Sequence, residues 1–470
     1  MNFISDEDRA ALAARVRPFA RPRYAASALG VLVIGMVAFA RMAPPADAPA
    51  ALDLEAAASR DAGAEAGAGT SLETAPVEPA PPMPGPTERL ETYEQPELMA
   101  TPEPLRGIYV TAYSAGAAGK RARLIELARE TEINTFVIDV KEVGHLSYRS
   151  TVALARRVGA DSHYAIPNMR AVLQEIRDAG IYPVARIVVF RDEVLAEARP
   201  DLSIVKEDGS IWQDNNGYGW VDSFNREVWD YNITIAREAI EMGFAEVQWD
   251  YVRFPDVPQS YMKTAVWPAR EGRTKEDGIA EFLRYSREQL ADLGVPVTAD
   301  VFGLATSAAD DLGIGQNWKK MRTETDALLP MIYPSHYARG SYGIQHPNAN
   351  PYDIVFAAME WARKRTEGVE GAARVRPWLQ DFSLGEPDYG PAYVRAQIEA
   401  VYDAGFQDWI LWNAASNYTA EALAPERGRA PRFPIPRADS ADADRDGRRG
   451  GPVGRRMRVR PDTSGVFRRQ

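Results

Sequence analysis

The sequence predicts an α/β fold, a closed (β/α)8 TIM barrel, on three observations. Residues 105–436 alternate short β-branched and aromatic runs with amphipathic segments, the pattern of a parallel sheet with helical crossovers. Eight such units follow one another without the glycine-rich turn of an open dinucleotide-binding sheet. Four helical segments end at a capping glycine followed by an apolar residue that enters the next strand: Gly180, Gly243, Gly294 and Gly405.

The predicted elements follow from these patterns in chain order. The strands are 107–113, 134–140, 181–190, 245–251, 296–302, 326–333, 374–380 and 408–413. The helices between them include 119–131, 167–179, 225–242, 274–293, 316–324, 350–365 and 390–404. The helix at 316–324 is short, so the sequence pattern for the crossover between the fifth and sixth strands is the weakest of the series.

The charge of the chain is distributed unevenly. The net charge of −11 divides into +2 for residues 1–24, −9 for 41–104, −9 for 105–436 and +5 for 437–470. The predicted barrel is therefore acidic, which argues against a nucleic-acid partner. The absence of cysteine excludes disulfides, Cys-ligated zinc, iron–sulfur clusters and thiol catalysis. The four histidines lack paired ligand spacing, so we expect neither a metal nor a cofactor.

An apolar segment near the N-terminus predicts membrane targeting. Residues 25–40 are uncharged, follow the arginine-containing stretch 1–24 and reach about 24 Å as a helix, short of the roughly 30 Å hydrocarbon core. An uncleaved membrane anchor is the favoured interpretation, and a signal peptide that is cleaved after Ala40 is the alternative. Both interpretations place the barrel outside the cytoplasm. An anchored barrel lies in the periplasm or cell envelope, and a barrel whose signal is cleaved is secreted.

Two further segments are predicted to be disordered. Residues 41–104 are rich in Ala, Pro and Glu and have too few large apolar residues to fold, so they form an extended linker. Residues 437–470 form a basic tail. The oligomeric state is not predicted by the sequence.

Polar side chains terminate nearly all the predicted strands. Because the active sites of such barrels lie at the carboxyl ends of the strands, these residues are the candidate site. Ending apolar strands in charged groups is costly unless the groups have partners or a function. The candidates are Asp139 and Lys141 at the end of strand two, Arg186 on strand three, Asp250 and Arg253 at the end of strand four, Asp300 at the end of strand five, Tyr333 and His336 at the end of strand six, Gln380 on strand seven and Trp412 on strand eight. Asp222, in the long segment before strand four, joins this list.

Aromatic residues cluster at the same strand ends, where their faces could stack on sugar rings. Trp249 is the exception. It precedes Asp250 on the strand and therefore points to the opposite face, where we expect it to pack in the core. Carboxylates flanked by aromatic residues at a barrel opening are typical of enzymes that cleave glycosidic bonds. A non-catalytic carbohydrate-binding barrel tethered in the cell envelope is the alternative.

Three segments carry a family resemblance: 137–141, 220–231 and above all 248–255 (QWDYVRFP). They resemble a bacterial family classed with the glycoside hydrolases, of undefined specificity and similar to amylase-like (β/α)8 glycosidases. The resemblance covers residues 105–420. It implies hydrolysis of an extracytoplasmic poly- or oligosaccharide, expected to proceed with retention of configuration.

The resemblance also implies roles for individual residues. Asp250 matches the nucleophile position, with Arg253 expected to hold it ionised, and Asp300 matches the general acid/base position. An aspartate there is one methylene shorter than the glutamate of many amylase-like enzymes. The resemblance implies that the remaining candidates bind sugar hydroxyls. For His336 a loop role stays open, and for Lys141 a Schiff-base role is the less favoured alternative because acidic neighbours keep it protonated.

Overall fold

The computed structural model describes residues 97–425 and 430–437. Its eight parallel barrel strands are β1 (Arg106–Val110), β2 (Thr135–Glu142), β3 (Tyr182–Val188), β4 (Glu246–Asp250), β5 (Val297–Phe302), β6 (Ala327–Ile332), β7 (Trp378–Gln380) and β8 (Trp409–Trp412). Each strand pairs with the next, and β8 pairs with β1, so the sheet closes on itself. The predicted closed (β/α)8 barrel is confirmed.

The helices surround this sheet. They are α1 (Ala112–Gly116), α2 (Ala118–Glu130), α3 (Ala153–Val158), α4 (Met169–Asp178), α5 (Glu193–Ala198), α6 (Arg226–Met242), α7 (Gln259–Met262), α8 (Lys275–Leu290), α9 (Trp318–Met321), α10 (Pro351–Thr366) and α11 (Pro391–Asp403). The four predicted capping glycines all have positive φ angles. Helix α9 has only four residues, as the weak signal between strands five and six indicated.

The strand predicted at 374–380 is interrupted in the structure. Arg374–Val375 pairs with β6 as a separate two-residue strand, and β7 begins only at Trp378. Pro377 lies between them and has no N–H to donate to the neighbouring strand, which explains the break. A second short strand, His145–Leu146, pairs antiparallel with the end of β2.

The apolar core has two layers. A large cluster fills the space between sheet and helices and includes Trp249, whose indole N–H donates to Ser286 Oγ on α8 at 3.1 Å. The predicted core role of Trp249 is thereby confirmed. A smaller cluster, including Tyr109, Tyr182, Trp378 and Trp412, fills the barrel interior. Side chains therefore alternate between the two layers along each strand.

Residues 97–104, predicted as the end of the linker, lie against the amino-terminal end of the barrel. Met99 packs on the interior cluster, and Thr101 Oγ1 lies 3.2 Å from the hydroxyl of Tyr182. The packed part of the chain thus begins before residue 105. The predicted anchor at 25–40, the rest of the linker and the tail from 438 lie outside the described residues. Within the described ranges, no helix is both long and apolar enough to cross a membrane.

Two glycines inside helices test how tightly the helices pack on the barrel. A Cβ on Gly278 of α8 would lie 2.5 Å from the ring of Phe224, whereas one on Gly119 of α2 would meet nothing closer than 3.8 Å. We expect Gly278→Ala to destabilise the fold by about 1–3 kcal/mol through overpacking.

Gly119→Ala is the matched control, expected to stabilise by about 0.4–1 kcal/mol because alanine favours the helix. Chemical denaturation measures both. Equal effects of the two substitutions would contradict the tight contact between α8 and Phe224.

Candidate active site

Arg186 is the centre of the polar cluster at the carboxyl ends of the strands. Its Nε and Nη2 donate to one oxygen of Asp250, Oδ2, at 2.9 and 2.5 Å. Its Nη1 donates to Asp139 Oδ1 and to Glu142 Oε2, each at 2.6 Å. One guanidinium therefore holds three carboxylates from β2 and β4, and we call these four residues the Arg186 cluster.

The barrel geometry explains why these side chains meet. Arg186 is in register with Gln248 on β4, yet it binds Asp250, two residues further on. Gln248 is likewise in register with Thr298 but binds Asp300. Because barrel strands tilt against the axis, the residue two positions beyond the registered partner lies level with the donor. The tilt of the strands therefore brings polar side chains that are far apart in the chain into contact.

The wall beside Asp139 is aromatic. The hydroxyl of Tyr109 donates to Asp139 Oδ2 at 2.5 Å, and the ring of Trp412 stacks on Tyr109 with centroids 3.9 Å apart. Arg186 lies over both rings, 5.5 and 5.4 Å from their centroids. Burial raises the pKa of Asp139 to about 6, although the charge of Arg186 opposes the rise.

Asp300 lies in the barrel interior below the Arg186 cluster. Both of its oxygens accept from Gln248 Nε2, at 2.9 and 3.0 Å, and Oδ1 also accepts from Trp378 Nε1 at 2.6 Å. Burial, and secondarily the negative charge of Asp250, raise the pKa of Asp300 well above that of a free aspartate. Tyr333 is buried near the same two carboxylates, and burial raises its hydroxyl pKa.

The backbone is strained directly after Asp250. Tyr251 has a φ of 49°, in the left-handed region that bulky residues rarely adopt. In this conformation its N–H donates to Asp250 Oδ1 at 2.5 Å. Each oxygen of Asp250 thus has a fixed donor, and strain of this kind is typical of functional sites.

Lys141 does not join the cluster, because a bulge changes the face to which it points. The pairing of β2 with β3 shifts between Asp139 and Lys141, and Lys141 then pairs with the outward-facing Ile187. Its ammonium is fully buried and donates to Asp192 Oδ2 and to Asn232 Oδ1 of α6, each at 2.7 Å. Burial lowers the pKa of Lys141, opposed by Asp192. The same bulge turns Glu142 toward Arg186.

The expectation that Arg253 holds Asp250 is wrong. Arg253 Nη1 donates to the carbonyl of Phe254 at 3.1 Å, and the guanidinium lies over the rings of Trp220, Tyr251 and Phe302. Arg186, on the neighbouring strand, holds Asp250 instead, because both side chains point into the barrel.

Three other predicted residues organise loops around the opening. Asp222 is buried and accepts from the N–H groups of Phe224 and Ala269 at 3.0 and 2.8 Å, away from the Arg186 cluster. Gln380 accepts from the N–H and hydroxyl of Ser335 at 3.1 and 2.8 Å. His336 is exposed at the rim, edge-on to Tyr333. Gln380 and His336 therefore stay next to the site, whereas Asp222 does not.

The site also contains four residues that were not among the sequence candidates. Tyr109, Glu142, Gln248 and Trp378 all contact predicted residues. Gln248 could have been found from the sequence, because it lies two residues before Asp250 on the same strand and so points to the same face. No local pattern reveals the bulge that brings Glu142 inward.

The cluster holds its carboxylates without a metal-ligand arrangement. In residues 97–425 and 430–437, no three acidic or histidine side chains are grouped as a metal site. The guanidinium of Arg186 occupies the centre between the carboxylates. Two surface grooves, one along 373–375 and 405–408 and the other along 128–134 and 179–181, contain none of the candidate residues.

We expect Arg186→Met to destabilise the protein by about 3–5 kcal/mol, because it leaves buried carboxylates without a partner. The folded-state pKa of Asp139 already exceeds the value of about 3.9 in an unfolded chain. Its ionisation therefore costs stability as the pH rises toward 6, and losing Arg186 enlarges that cost. Denaturation of the variant between pH 5 and 8 measures this growing deficit.

Arg363→Met is the matched control, since Arg363 pairs with Glu360 and Glu367 on the surface of α10 and should lose under about 1 kcal/mol. A loss for Arg186→Met as small as that of the control, or one that shrinks as the pH rises, would contradict the charge assignment.

The chain matches a protein-family profile and is similar to solved structures. A family profile described as "Putative glycosyl hydrolase domain" matches residues 107–418. The chain is 35% identical to a hypothetical protein from Ruminiclostridium thermocellum ATCC 27405, over 44% of this chain and 98% of that one, with a TM-score of 0.38. No curated protein matches the chain.

Two solved glycosidase structures are also similar. The PgaB (BpsB) glycoside hydrolase domain from Bordetella bronchiseptica is 10% identical over 68% of this chain and 99% of that one, with a TM-score of 0.49. The α-galactosidase TtGalA from Thermus thermophilus is 16% identical over 70% and 60% of the two chains, with a TM-score of 0.43. Since the family profile spans well over half of its residues, the chain belongs to the family of this glycosyl hydrolase domain.

Proposed function

We propose that the chain is a glycosidase that hydrolyses an extracytoplasmic poly- or oligosaccharide, with Asp250 as nucleophile and Asp300 as general acid/base. Family membership supports the reaction class. The observation that carries the residue assignment is the contrast between two interior carboxyl groups. Asp250 is ion-paired with Arg186, whereas burial and the charge of Asp250 favour a proton on Asp300.

Asp250 has the properties of a positioned nucleophile. Arg186 fixes one of its oxygens and the strained Tyr251 N–H fixes the other, so the carboxylate has one orientation before substrate binds. Such positioning lowers the barrier of covalent attack on an anomeric carbon, because less freedom is lost at the transition state. The Asp250 side chain also stays partly accessible from the barrel opening.

Asp300 has the properties of a proton donor. A raised pKa favours the protonated form of its carboxyl group, as protonation of a leaving glycosidic oxygen requires. Attack by Asp250 converts its carboxylate to a neutral ester, which removes part of the cause of the raised pKa. Asp300 then gives up its proton more easily and can serve as the base for the incoming water.

The aromatic walls would supply sugar binding. Tyr109, Trp412 and Tyr333 line the interior next to the carboxylates, and Asp139 and His336 offer polar groups near hydroxyl positions of a bound ring. The arginine-containing stretch 1–24 and the apolar 25–40 support a barrel outside the cytoplasm, anchored to the membrane or secreted after cleavage. The acidic barrel supports a carbohydrate rather than a nucleic-acid partner.

A carbohydrate-binding barrel without turnover is the alternative function. The near-complete burial of Asp300, with hydrogen bonds from both Gln248 and Trp378, favours it, because this geometry would also suit a purely structural aspartate. Substitutions at the two proposed catalytic positions distinguish the two functions.

We expect Asp250→Asn to lower turnover of a responsive glycan roughly 10³-fold, because an amide cannot form the covalent intermediate. A panel of bacterial and plant polysaccharides identifies the glycan, and reducing-end release measures turnover. Asp388→Asn, the same change at an exposed position on the loop after β7, is the control and should keep wild-type turnover. Wild-type rates in Asp250→Asn would eliminate the proposed nucleophile, and binding without turnover by the wild type would favour the alternative.

We expect kcat/KM to fall as the pH rises through the raised pKa of Asp300, because only its protonated form donates to the leaving group. Asp300→Asn should remove this alkaline decline. It should also slow natural glycosides far more than aryl glycosides, whose leaving groups need no proton. Equal slowing of both substrate types would argue that Asp300 serves the fold alone.

A further inference from the structure

Two arginines beside the proposed nucleophile have no carboxylate partner. Arg191 follows β3 and Arg253 follows β4, and both contact the ring of Tyr251, the residue after Asp250. In the part of the chain that the structure describes, neither forms an ion pair with a carboxylate within 4 Å. We call Arg191, Arg253, Tyr218 and Tyr251 the arginine pocket.

Arg191 is buried and only partly satisfied. It is 2% exposed, its guanidinium lies 4.2 Å from the ring centroid of Tyr218, and Nη1 donates to the hydroxyl of Tyr251 at 2.8 Å. Its Nε and Nη2 have no hydrogen-bond partner. These two atoms form the edge of the guanidinium that binds a carboxylate through parallel bonds, the same edge that Arg186 presents to Asp250.

The other buried arginines of the described residues show that this is unusual. Arg186, Arg376 and Arg395 each form an ion pair with a carboxylate, at 2.5, 2.6 and 3.2 Å respectively. Glu142 and Asp214 act on the charge of Arg191 without binding it, because Glu142 binds Arg186 and Asp214 binds Trp220. A buried cation without a direct ion pair is costly, so its retention calls for an explanation.

Arg253 adds a second positive charge, closer to the solvent than that of Arg191. It is half-buried, and its guanidinium lies 4.7, 4.9 and 5.3 Å from the ring centroids of Tyr251, Phe302 and Trp220. Its single hydrogen bond among the described residues goes to the carbonyl of Phe254. Aromatic faces hold the cation in place without neutralising it.

We propose that the arginine pocket binds a carboxylate of the substrate, so that the glycan is acidic and carries uronic acid units next to the bond that is cleaved. The inference rests on the proposed function and specifies its substrate class. A planar carboxylate matches the free edge of Arg191, and the aromatic rings suit the apolar face of a sugar. Arg253 meets the anion first. Because the free atoms of Arg191 are shielded from water, they reach a carboxylate only if the pocket opens.

Binding to uronate oligosaccharides tests the pocket separately from turnover. The probes are oligomers of galacturonate, mannuronate and glucuronate, each compared with its carboxyl-reduced counterpart, and calorimetry on the Asp250→Asn protein gives the affinities. We expect at least one uronate to bind tenfold or more tightly than its reduced form. Adding Arg253→Met or Arg191→Met should abolish that preference, since each removes a charge partner. Arg284→Met, on the exposed face of α8, is the control and should retain it.

Thermal stability separates binding from a structural role. Because Arg191 has no direct ion pair to lose, Arg191→Met should lower the melting temperature far less than Arg186→Met does, whereas an arginine that holds the fold would lower it to a similar extent. Equal affinity for uronate and reduced forms, or a preference that survives both arginine substitutions, would overturn the acidic-substrate proposal. Wild-type hydrolysis of a neutral glycan with no uronate preference would overturn it while leaving the proposed glycosidase function intact.

Discussion

The ion pairs of Arg186 are the interaction on which the site depends. One buried guanidinium from β3 pairs with Asp139, Glu142 and Asp250, which belong to strands on either side of it. Without this cation, three carboxylates at one opening would repel one another and lose their hydration, and at least one would take up a proton. With it, Asp250 stays oriented in the barrel. Burial and the negative charge of Asp250 raise the pKa of Asp300, whose proton the proposed mechanism uses.

The barrel interior is organised in polar layers around this constraint. At the amino-terminal end Arg376 pairs with Glu246 at 2.6 Å, and in the middle Gln248 and Trp378 hold Asp300. The Arg186 cluster forms the third layer, at the carboxyl ends of the strands. Each layer pairs its charged groups with partners from other strands, which is how charged residues remain inside a packed barrel. The arginine pocket differs, because neither of its arginines forms an ion pair among the described residues, and it borders the proposed nucleophile.

Much of the fold could be predicted from local pattern because strands, helices and capping glycines leave signals within a few residues. Asp250, Asp139 and Arg186 were found in the same way, as polar residues on inward positions of apolar strands. The rest required three-dimensional information. The bulge after Asp139 exchanges the faces of Lys141 and Glu142, and strand tilt decides that Arg186 rather than Arg253 reaches Asp250. Contacts such as Arg376 with Glu246, 130 residues apart, have no signature along the chain.

The central claim is that the oriented carboxylate of Asp250 attacks the anomeric carbon, and covalent trapping tests it most directly. Glycosides with a fluorine at C2 and a good leaving group form glycosyl-enzymes that hydrolyse slowly, because the fluorine destabilises the oxocarbenium-like transition state. The fluorinated analogue of a sugar that the wild type turns over should add one glycosyl group per chain, and peptide mass mapping should place it on Asp250. A glycosyl group on another carboxylate, such as Glu142 or Asp300, or the absence of any adduct during continued turnover, would contradict this account.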